Sequence, residues 1–277
     1  MFPICDKSRY IASEIGTVRG FMKLQSIHVA FMHCEPGHHN SFNHWHDYDH
    51  RPENQALPGV FHSQRWVAPP DYIAARERFD STYFDYGGGE YIATYWSEIN
   101  AKDLDWAMVM RREQLIILGR FDHEYKSLGW GRDQKRYGRD RDYDFINAWT
   151  RPNLLLSPAA VPLMPHKGIH VVLSEVIDPA RAEKWYHWYN TVYTPEILTH
   201  RGIMAVFRFA RLVQMPKPTI FDLYYLDEDP LARTTGLLAK MAADAERDLG
   251  FPLNRVINVL LSGPYRTIIP GQYDFYS

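Results

Sequence analysis

The sequence contains an internal repeat with a spacing of 143 residues. The segment WHDYDHRPE at 45–53 recurs as WYNTVYTPE at 188–196 (188 − 45 gives 143). The positions shared at this offset are Trp45 and Trp188, Pro52 and Pro195, Glu53 and Glu196, Gly59 and Gly202, and Arg65 and Arg208. Upstream, SIHVAF at 26–31 recurs as GIHVVL at 168–173, so His28 corresponds to His170. Repetition at a fixed spacing predicts two copies of one structural unit.

Each copy shows the same order of predicted elements. Alternating apolar residues predict strands, and longer amphipathic stretches predict helices. In the first copy we predict a strand at 25–33, a helix at 41–56, strands at 60–67 and 91–97, a helix at 101–118 and a strand at 145–149. In the second copy we predict a strand at 168–175, a helix at 178–200, strands at 203–212 and 219–226, a helix at 231–248 and a strand at 256–262. Each copy is therefore predicted to have the β-α-β-β-α-β order of a ferredoxin-like unit.

The repeat also predicts the domain organisation. Residues 1–24 form an N-terminal extension, 25–150 the first repeat, 151–167 a proline-rich linker and 168–277 the second repeat. The fourth strands of the copies are closer together than 143 residues, so the first repeat carries additional residues. We place them as insertions at 69–88 and 119–144, the latter rich in Gly and charged residues and therefore expected at the surface.

The composition excludes several classes of function. Apolar residues make up 45% of the 277 residues, and the net charge of −2 does not suit a broad nucleic-acid surface. No apolar run has the roughly 18–20 residues of a membrane helix, and the N-terminus is too polar for a signal peptide. One disulfide between Cys5 and Cys34 is chemically allowed, but a reduced cytosolic setting is the simpler interpretation. We therefore expect a soluble, cytoplasmic protein.

The phrase FNHWHDYDHRPE…LPGV…R at 42–65 resembles the dimeric α/β-barrel superfamily, and most closely the EthD-like and related proteins with the pattern FNxWYDxxHxPxxxxxPGFxxxxR. The second copy departs from that pattern at three positions, where Asn190, Tyr193 and Arg201 replace Asp47, His50 and Pro58. The resemblance implies an α+β fold with two ferredoxin-like repeats packed sheet to sheet as an intrachain dimeric α/β barrel. Members of this superfamily include cofactor-free monooxygenases, isomerases, cyclases, dehydratases and haem enzymes, so the fold leaves the chemistry open.

Histidines are concentrated in the first copy, and they are the side chains best suited to acid–base work near neutral pH. Eight of the thirteen lie between positions 28 and 62. On the predicted helix, His46, Asp47 and His50 share one face, and His28 comes from the neighbouring strand. We expect His50 and His28 to form a catalytic acid–base pair, with Asp47 fixing the tautomer of one of them.

Further candidates come from both copies. Arg65 and Arg208 occupy equivalent strand positions, where a guanidinium could clamp a substrate carboxylate. The alternative for Arg65 is an ion pair with Asp47 or Glu53 of the helix. Tyr193 is a candidate proton donor to a developing oxyanion. The remaining predicted substrate-binding residues are His46, Trp45 and His170.

A metal site is the rival interpretation of the histidine cluster. His46 and His50 have i, i+4 spacing, and His38 or His39 could join them, but no HExxH or paired-Cys motif is present. Haem is allowed by the resemblance, although nothing in the sequence selects it. We therefore predict neither a metal nor another cofactor.

These observations predict a cofactor-independent lyase or isomerase that acts on a small aromatic compound by elimination, decarboxylation or cyclisation. Acid and base groups in a water-poor pocket suffice for such proton transfers. The alternatives are a cofactor-free monooxygenase of the same fold, a metal- or haem-binding protein, and a non-catalytic module that binds small molecules. We expect no nucleic-acid or membrane partner. The exposed sheet edges and the many Trp and Tyr residues also favour a homodimer.

Overall fold

A computed structural model describes residues 23–84, 89–119, 141–211 and 217–276. In the first half the strands are β1 (Ser26–Met32), β2 (Val60–Val67), β3 (Arg78–Phe79), β4 (Tyr91–Ser97) and β5 (Arg141–Thr150). In the second half they are β6 (Gly168–Val176), β7 (Ile203–Arg211), β8 (Thr219–Leu226) and β9 (Ile257–Thr267). Their alternating side chains face two apolar environments, as a sheet covered on both sides requires.

The sheet closes on itself as an antiparallel ring. Its strand order is β2-β4-β1-β5-β7-β8-β6-β9, and β2 also pairs with β9, while the short β3 extends the edge of β9. The halves β2-β4-β1-β5 and β7-β8-β6-β9 have the same internal order. The fourth strand of each half thus pairs with the second strand of the other. The predicted fold, two ferredoxin-like units forming a barrel within one chain, is confirmed.

Eight helices in the described residues pack against the ring of strands. They are α1 (His39–Trp45), α2 (Arg51–Gln55), α3 (Pro70–Ala74), α4 (Ala101–Ile117), α5 (Pro179–Trp188), α6 (Thr194–Ile197), α7 (Pro230–Thr234) and α8 (Leu237–Leu249). A π-helical turn at His46–His50 joins α1 to α2, and one at Tyr189–Tyr193 joins α5 to α6. The two π turns are 143 residues apart, and such turns often occur at functional sites.

Three apolar clusters follow from this layering. Inward-facing residues of both halves fill the barrel, for example Ile27, Trp66 and Tyr225. The first half has a smaller cluster between its sheet and α1, around Phe42 and Tyr91. The second half has a larger cluster beneath α5 and α8, around Trp185 and Met241. Each half therefore has its own helix–sheet interface on the outer face of the barrel.

The turns that end the first helix of each half use equivalent glycines. Gly59 has a φ of 85° and Gly202 a φ of 98°, a backbone conformation that residues with a Cβ rarely adopt. This explains why both copies have a glycine at this position, Gly59 and Gly202, although Pro58 is replaced by Arg201 in the second copy.

Several predicted boundaries differ from the structure. The fourth strand of the first half begins at Arg141, four residues before the predicted start and inside the predicted insertion 119–144. The predicted helix 231–248 is two helices, separated at Gly236, which has a φ of 82°. The predicted insertion 69–88 contains α3 and β3. Residues 85–88, 120–140 and nearly all of the predicted extension 1–24 lie outside the described residues.

Candidate acid–base site

A buried histidine–aspartate pair lies between the sheet and the helices of the first half. His28 Nδ1 is 3.0 Å from Asp142 Oδ1, and the side chains are 11% and 5% exposed. The residues come from neighbouring strands, because β1 and β5 pair His28 directly with Asp142. Because an ionised carboxylate only accepts hydrogen bonds, a neutral His28 ring bonded to it donates from Nδ1 and has its lone pair on Nε2. This is the arrangement that orients an imidazole as a general base.

The π turn places a second imidazole on the same side of the sheet. Asn54 Nδ2 donates to His50 Nε2 at 3.2 Å and to the Tyr95 hydroxyl at 3.3 Å. The Tyr95 ring centre lies 5.9 Å from that of His28, and the two residues pair across β1 and β4. Asn54 and Tyr95 thus link His50 of the π turn to His28 of β1.

The histidines of the turn are held as neutral rings. Burial lowers the pKa of His50 to about 4, with the positive charge of Arg65 and the nearby His28 acting in the same direction. Burial also lowers the pKa of His46 well below its usual value. The His50 ring stacks on Trp45 at 4.7 Å and meets the His46 ring edge-on at 5.2 Å. At neutral pH both rings can therefore donate or accept a hydrogen bond without carrying charge.

Arg65 of β2 forms a buried ion pair with Asp47 of this turn. Arg65 donates through one terminal nitrogen to Asp47 Oδ1 at 2.8 Å and through the other to Asn43 Oδ1 at 2.8 Å. The other carboxylate oxygen of Asp47 accepts from the Tyr273 hydroxyl at 2.9 Å. Phe42 and Tyr91 place their rings within 5.2 and 5.8 Å of the guanidinium. The ion-pair alternative for Arg65 is thus present, and Asp47 contacts Arg65 and Tyr273 through its carboxylate.

The second half buries its arginine differently. Arg208 donates from Nε and a terminal nitrogen to both oxygens of Asp222, at 2.8 and 2.9 Å. Burial opposes the charged form, but Asp222 outweighs it and raises the pKa of Arg208. The guanidinium lies 3.5 Å from the centre of the Tyr189 ring. The carboxylate that pairs with the arginine is on the helix in the first half and on the neighbouring strand in the second.

Tyrosines occupy the positions of the turn histidines in the second half. Tyr189 corresponds to His46 and Tyr193 to His50, and both are fully buried. Tyr189 shares a hydrogen bond with the Tyr224 hydroxyl at 2.6 Å. Burial raises the pKa of Tyr193 well above its usual value. These residues fill the helix–sheet interface with aromatic rings, packing against Trp185 and Trp188.

His170 has a different environment from His28, although the two occupy equivalent strand positions. Its Nδ1 is 2.7 Å from Thr234 Oγ1 and its Nε2 is 3.0 Å from Ser262 Oγ. Burial lowers the pKa of His170 to about 3. Both ring nitrogens are engaged by hydroxyl groups, and Pro264 pairs with His170 across the strands where Asp142 pairs with His28. The local chemistry is that of a neutral core histidine.

The nine predicted site residues divide between two interfaces. Trp45, His46, His50, Asp47, His28 and Arg65 lie in the first half, whereas Tyr193, Arg208 and His170 lie in the second, on the other helix-covered face of the barrel. Sequence reasoning missed Asp142, Asn54 and Tyr95. The signal for Asp142 is the alternation of RDYD at 141–144, which continues the predicted strand 145–149 but falls in the predicted insertion 119–144.

No group of three or more His, Cys, Asp or Glu side chains among the described residues has an arrangement that could hold a metal ion. Cys34, the cysteine within the described part of the chain, is buried, and burial raises the pKa of its thiol to about 12. In the same part of the chain, none of the helices combines the length and apolarity that a bilayer crossing requires.

The ring of strands and its two helix layers define the class of protein: an α+β chain with the dimeric α/β-barrel fold, both halves of which are in one polypeptide. No known family profile and no curated protein sequence matches this chain. Among solved structures it is similar to a monooxygenase candidate from Fusobacterium nucleatum subsp. nucleatum, with 9% identity, 91% of this chain and 97% of the other covered, and a TM-score of 0.48.

Two further solved structures are similar to the chain. An anthrone oxidase-like protein has 10% identity, coverage of 91% and 95%, and a TM-score of 0.48. A chlorite dismutase candidate has 12% identity, coverage of 92% and 98%, and a TM-score of 0.49.

Proposed function

We propose that the helix–sheet interface of the first half is the active site of a cofactor-independent lyase or isomerase acting on a small aromatic compound. The observation that carries this proposal is the buried pair of His28 and Asp142 beside the neutral His50. His28 Nε2 removes a proton from the substrate, and Asp142 stabilises the imidazolium that forms. A neutral His50 then supplies a hydrogen bond or a proton where negative charge develops.

The surroundings of the pair favour a flat, largely apolar substrate. Trp45 stacks on His50, and Tyr95 lies against His28, so aromatic rings flank both imidazoles. Aromatic rings pack well against such surfaces through offset or edge contacts. Arg65 is bonded to Asp47 and Asn43, so a substrate carboxylate would have to compete with a buried ion pair. Phenols or aryl ketones therefore suit this interface better than aromatic acids.

Cofactor-free oxygenation is the second candidate, and it would begin with the same step. A base that removes the proton of an electron-rich phenol leaves a phenolate that can react with oxygen itself. The buried His28–Asp142 pair supports this variant as well, because both reactions need the same base. Oxygen uptake separates the two candidates, because elimination, decarboxylation and isomerisation consume none.

The test is a panel of phenols and aryl ketones incubated with the protein in D₂O. Deuterium incorporation and product formation are followed by NMR, and oxygen uptake is followed with an electrode. We expect exchange or turnover that falls about 10²- to 10⁴-fold in His28→Gln, the range typical of a lost general base. His170→Gln is the matched control, because it alters the equivalent histidine of the other half. Equal rates in His28→Gln and the unaltered protein would refute the proposal.

A further inference from the structure

We propose that Tyr273, in the tail (residues 268–276) that follows β9 of the second half, is a positioning residue for the π turn of the first half. The inference rests on the proposed function only in treating His46 and His50 of that turn as part of the site. Tyr273 acts through Asp47, which lies in the turn between these histidines. Through this tail, the second half helps to order the site in the first half.

The tail is anchored to the first half at both of its ends. At its start, the Ile268 N–H donates to the Arg65 carbonyl oxygen at 3.3 Å. At its end, the Tyr276 hydroxyl donates to the Ala68 carbonyl oxygen at 2.6 Å, and its ring stacks on His39 at 4.0 Å with an interplanar angle of 8°. Ile268 and Phe275 are both buried in the apolar cluster beneath α1. These contacts fix the path of the tail across the strand that carries Arg65.

Between the anchors, Tyr273 completes the set of hydrogen bonds around Asp47. One carboxylate oxygen accepts from Arg65 at 2.8 Å and the other accepts from Tyr273 at 2.9 Å. Asp47 is thus held from the strand on one side and from the tail on the other. Because Asp47 belongs to the π turn, both bonds restrain the backbone that carries His46 and His50. Burial raises the pKa of Tyr273 to about 12, so its hydroxyl remains a donor at neutral pH.

The second half provides an internal contrast. Asn190 takes the place of Asp47 at the same position of the second π turn. Its side-chain oxygen has no hydrogen-bond partner among the residues that the structure describes. Arg208 is paired with Asp222 of the strand instead. The turn with histidines is therefore fixed to the tail through its carboxylate, and the turn with tyrosines is held by ring packing.

The test compares Tyr273→Phe with Tyr72→Phe. The control removes an equivalent bond, since the Tyr72 hydroxyl donates to Asp229 Oδ1 at 2.8 Å away from the π turn. Amide hydrogen exchange is measured over 46–50, and the histidine pKa values are followed by NMR. In Tyr273→Phe we expect exchange at 46–50 to rise about tenfold or more, from the loss of a bond to a charged acceptor. We also expect the pKa of His50 to move upward, toward that of a solvated imidazole.

The exchange of the barrel strands should remain unchanged in both variants, and Tyr72→Phe should leave 46–50 as it is. Unaltered exchange and an unaltered His50 titration in Tyr273→Phe would overturn the positioning role. These measurements need no substrate, so they test the tail even if the proposed reaction is wrong. Where a substrate has been found, Tyr273→Phe should lower kcat more than it changes KM. An equal loss in Tyr72→Phe would point to general destabilisation and count against the proposal.

Discussion

Removing Asp222 should destabilise the protein strongly, and restoring a carboxylate on the facing helix should recover part of the loss. Arg208 is fully buried, and both of its hydrogen bonds to a carboxylate go to Asp222. Asp222→Ala leaves that charge unpaired in the interface, which costs about 3–5 kcal/mol. For a chain of this size, such a loss lowers Tm by on the order of 10 °C.

The first half indicates which second substitution should compensate. There the strand position that pairs with Arg65 is Ala93, and the carboxylate comes from the π turn instead. Adding Asn190→Asp to Asp222→Ala copies this arrangement onto the second half. The Arg208 nitrogen that is not bonded to Asp222 and the Asn190 side-chain oxygen both lack a hydrogen-bond partner among the described residues. A carboxylate at 190 should therefore regain about 1.5–3 kcal/mol, the value of a hydrogen bond to a charged group.

Urea unfolding of the unaltered protein, the two single variants and the double variant gives the coupling energy directly. Asn190→Asp alone should yield no gain, because Arg208 is already neutralised and Asp222 would repel a second carboxylate. We expect a favourable coupling of at least about 1 kcal/mol, well above the usual additivity error. A double variant no more stable than Asp222→Ala would refute the idea that the two halves use interchangeable carboxylate positions.

The lowered pKa values of His50 and His170 and the exposed face of helix α4 give two further predictions. Burial lowers the pKa of His50 to about 4 and of His170 to about 3, so the folded state binds fewer protons than the unfolded state once the pH falls below about 6.5. The stability that these neutral rings contribute is fully present above about pH 6.5 and is lost as the pH falls toward 4. The urea midpoint should therefore decline between pH 7.5 and 4.5. The decline should be less steep in His170→Gln than in a variant of the exposed His44. The predicted homodimer should use the outer face of α4, where Trp106, Met110 and Ile117 are 66%, 44% and 82% exposed. Trp106→Glu should then reduce a dimer mass to that of a monomer in light scattering, and a monomeric unaltered protein would contradict this.

The repeat made most of the fold predictable. An alternating pattern is a local signal, and the strands 60–67, 91–97 and 219–226 match their predicted bounds. Closure of the ring is not local, because the pairing of β5 with β7 joins residues of different halves. It was predictable only through the resemblance of the helix–turn segment at 42–65. The break at Gly236 was missed because the apolar spacing on either side of it suits one continuous helix.

The candidate site was predictable only in part, for a physical reason. The spacing of His46, Asp47 and His50 put them on one helix face, but spacing cannot tell which carboxylate a histidine meets. Asp142 reaches His28 through a strand pairing across 114 residues of sequence. The bond between Asp47 and Tyr273 spans 226 residues. The first contact depends on strand pairing within the first half and the second on how the two halves close, and no local pattern encodes either.

The position of the carboxylate explains why chemistry is expected in one half only. In the second half Asp222 neutralises the arginine from within the sheet, so the turn above it needs no charge and can carry tyrosines that pack against the guanidinium. In the first half the carboxylate belongs to the turn, and Ala93 leaves the strand position below it small. Hydrogen bonds and an ion pair then join the turn to the sheet, and in such a polar interface imidazoles can remain as hydrogen-bonding groups. In such a duplicated barrel the second half can serve as a structural scaffold, because its buried Arg208 is paired with Asp222 of the sheet and needs no partner from the helix.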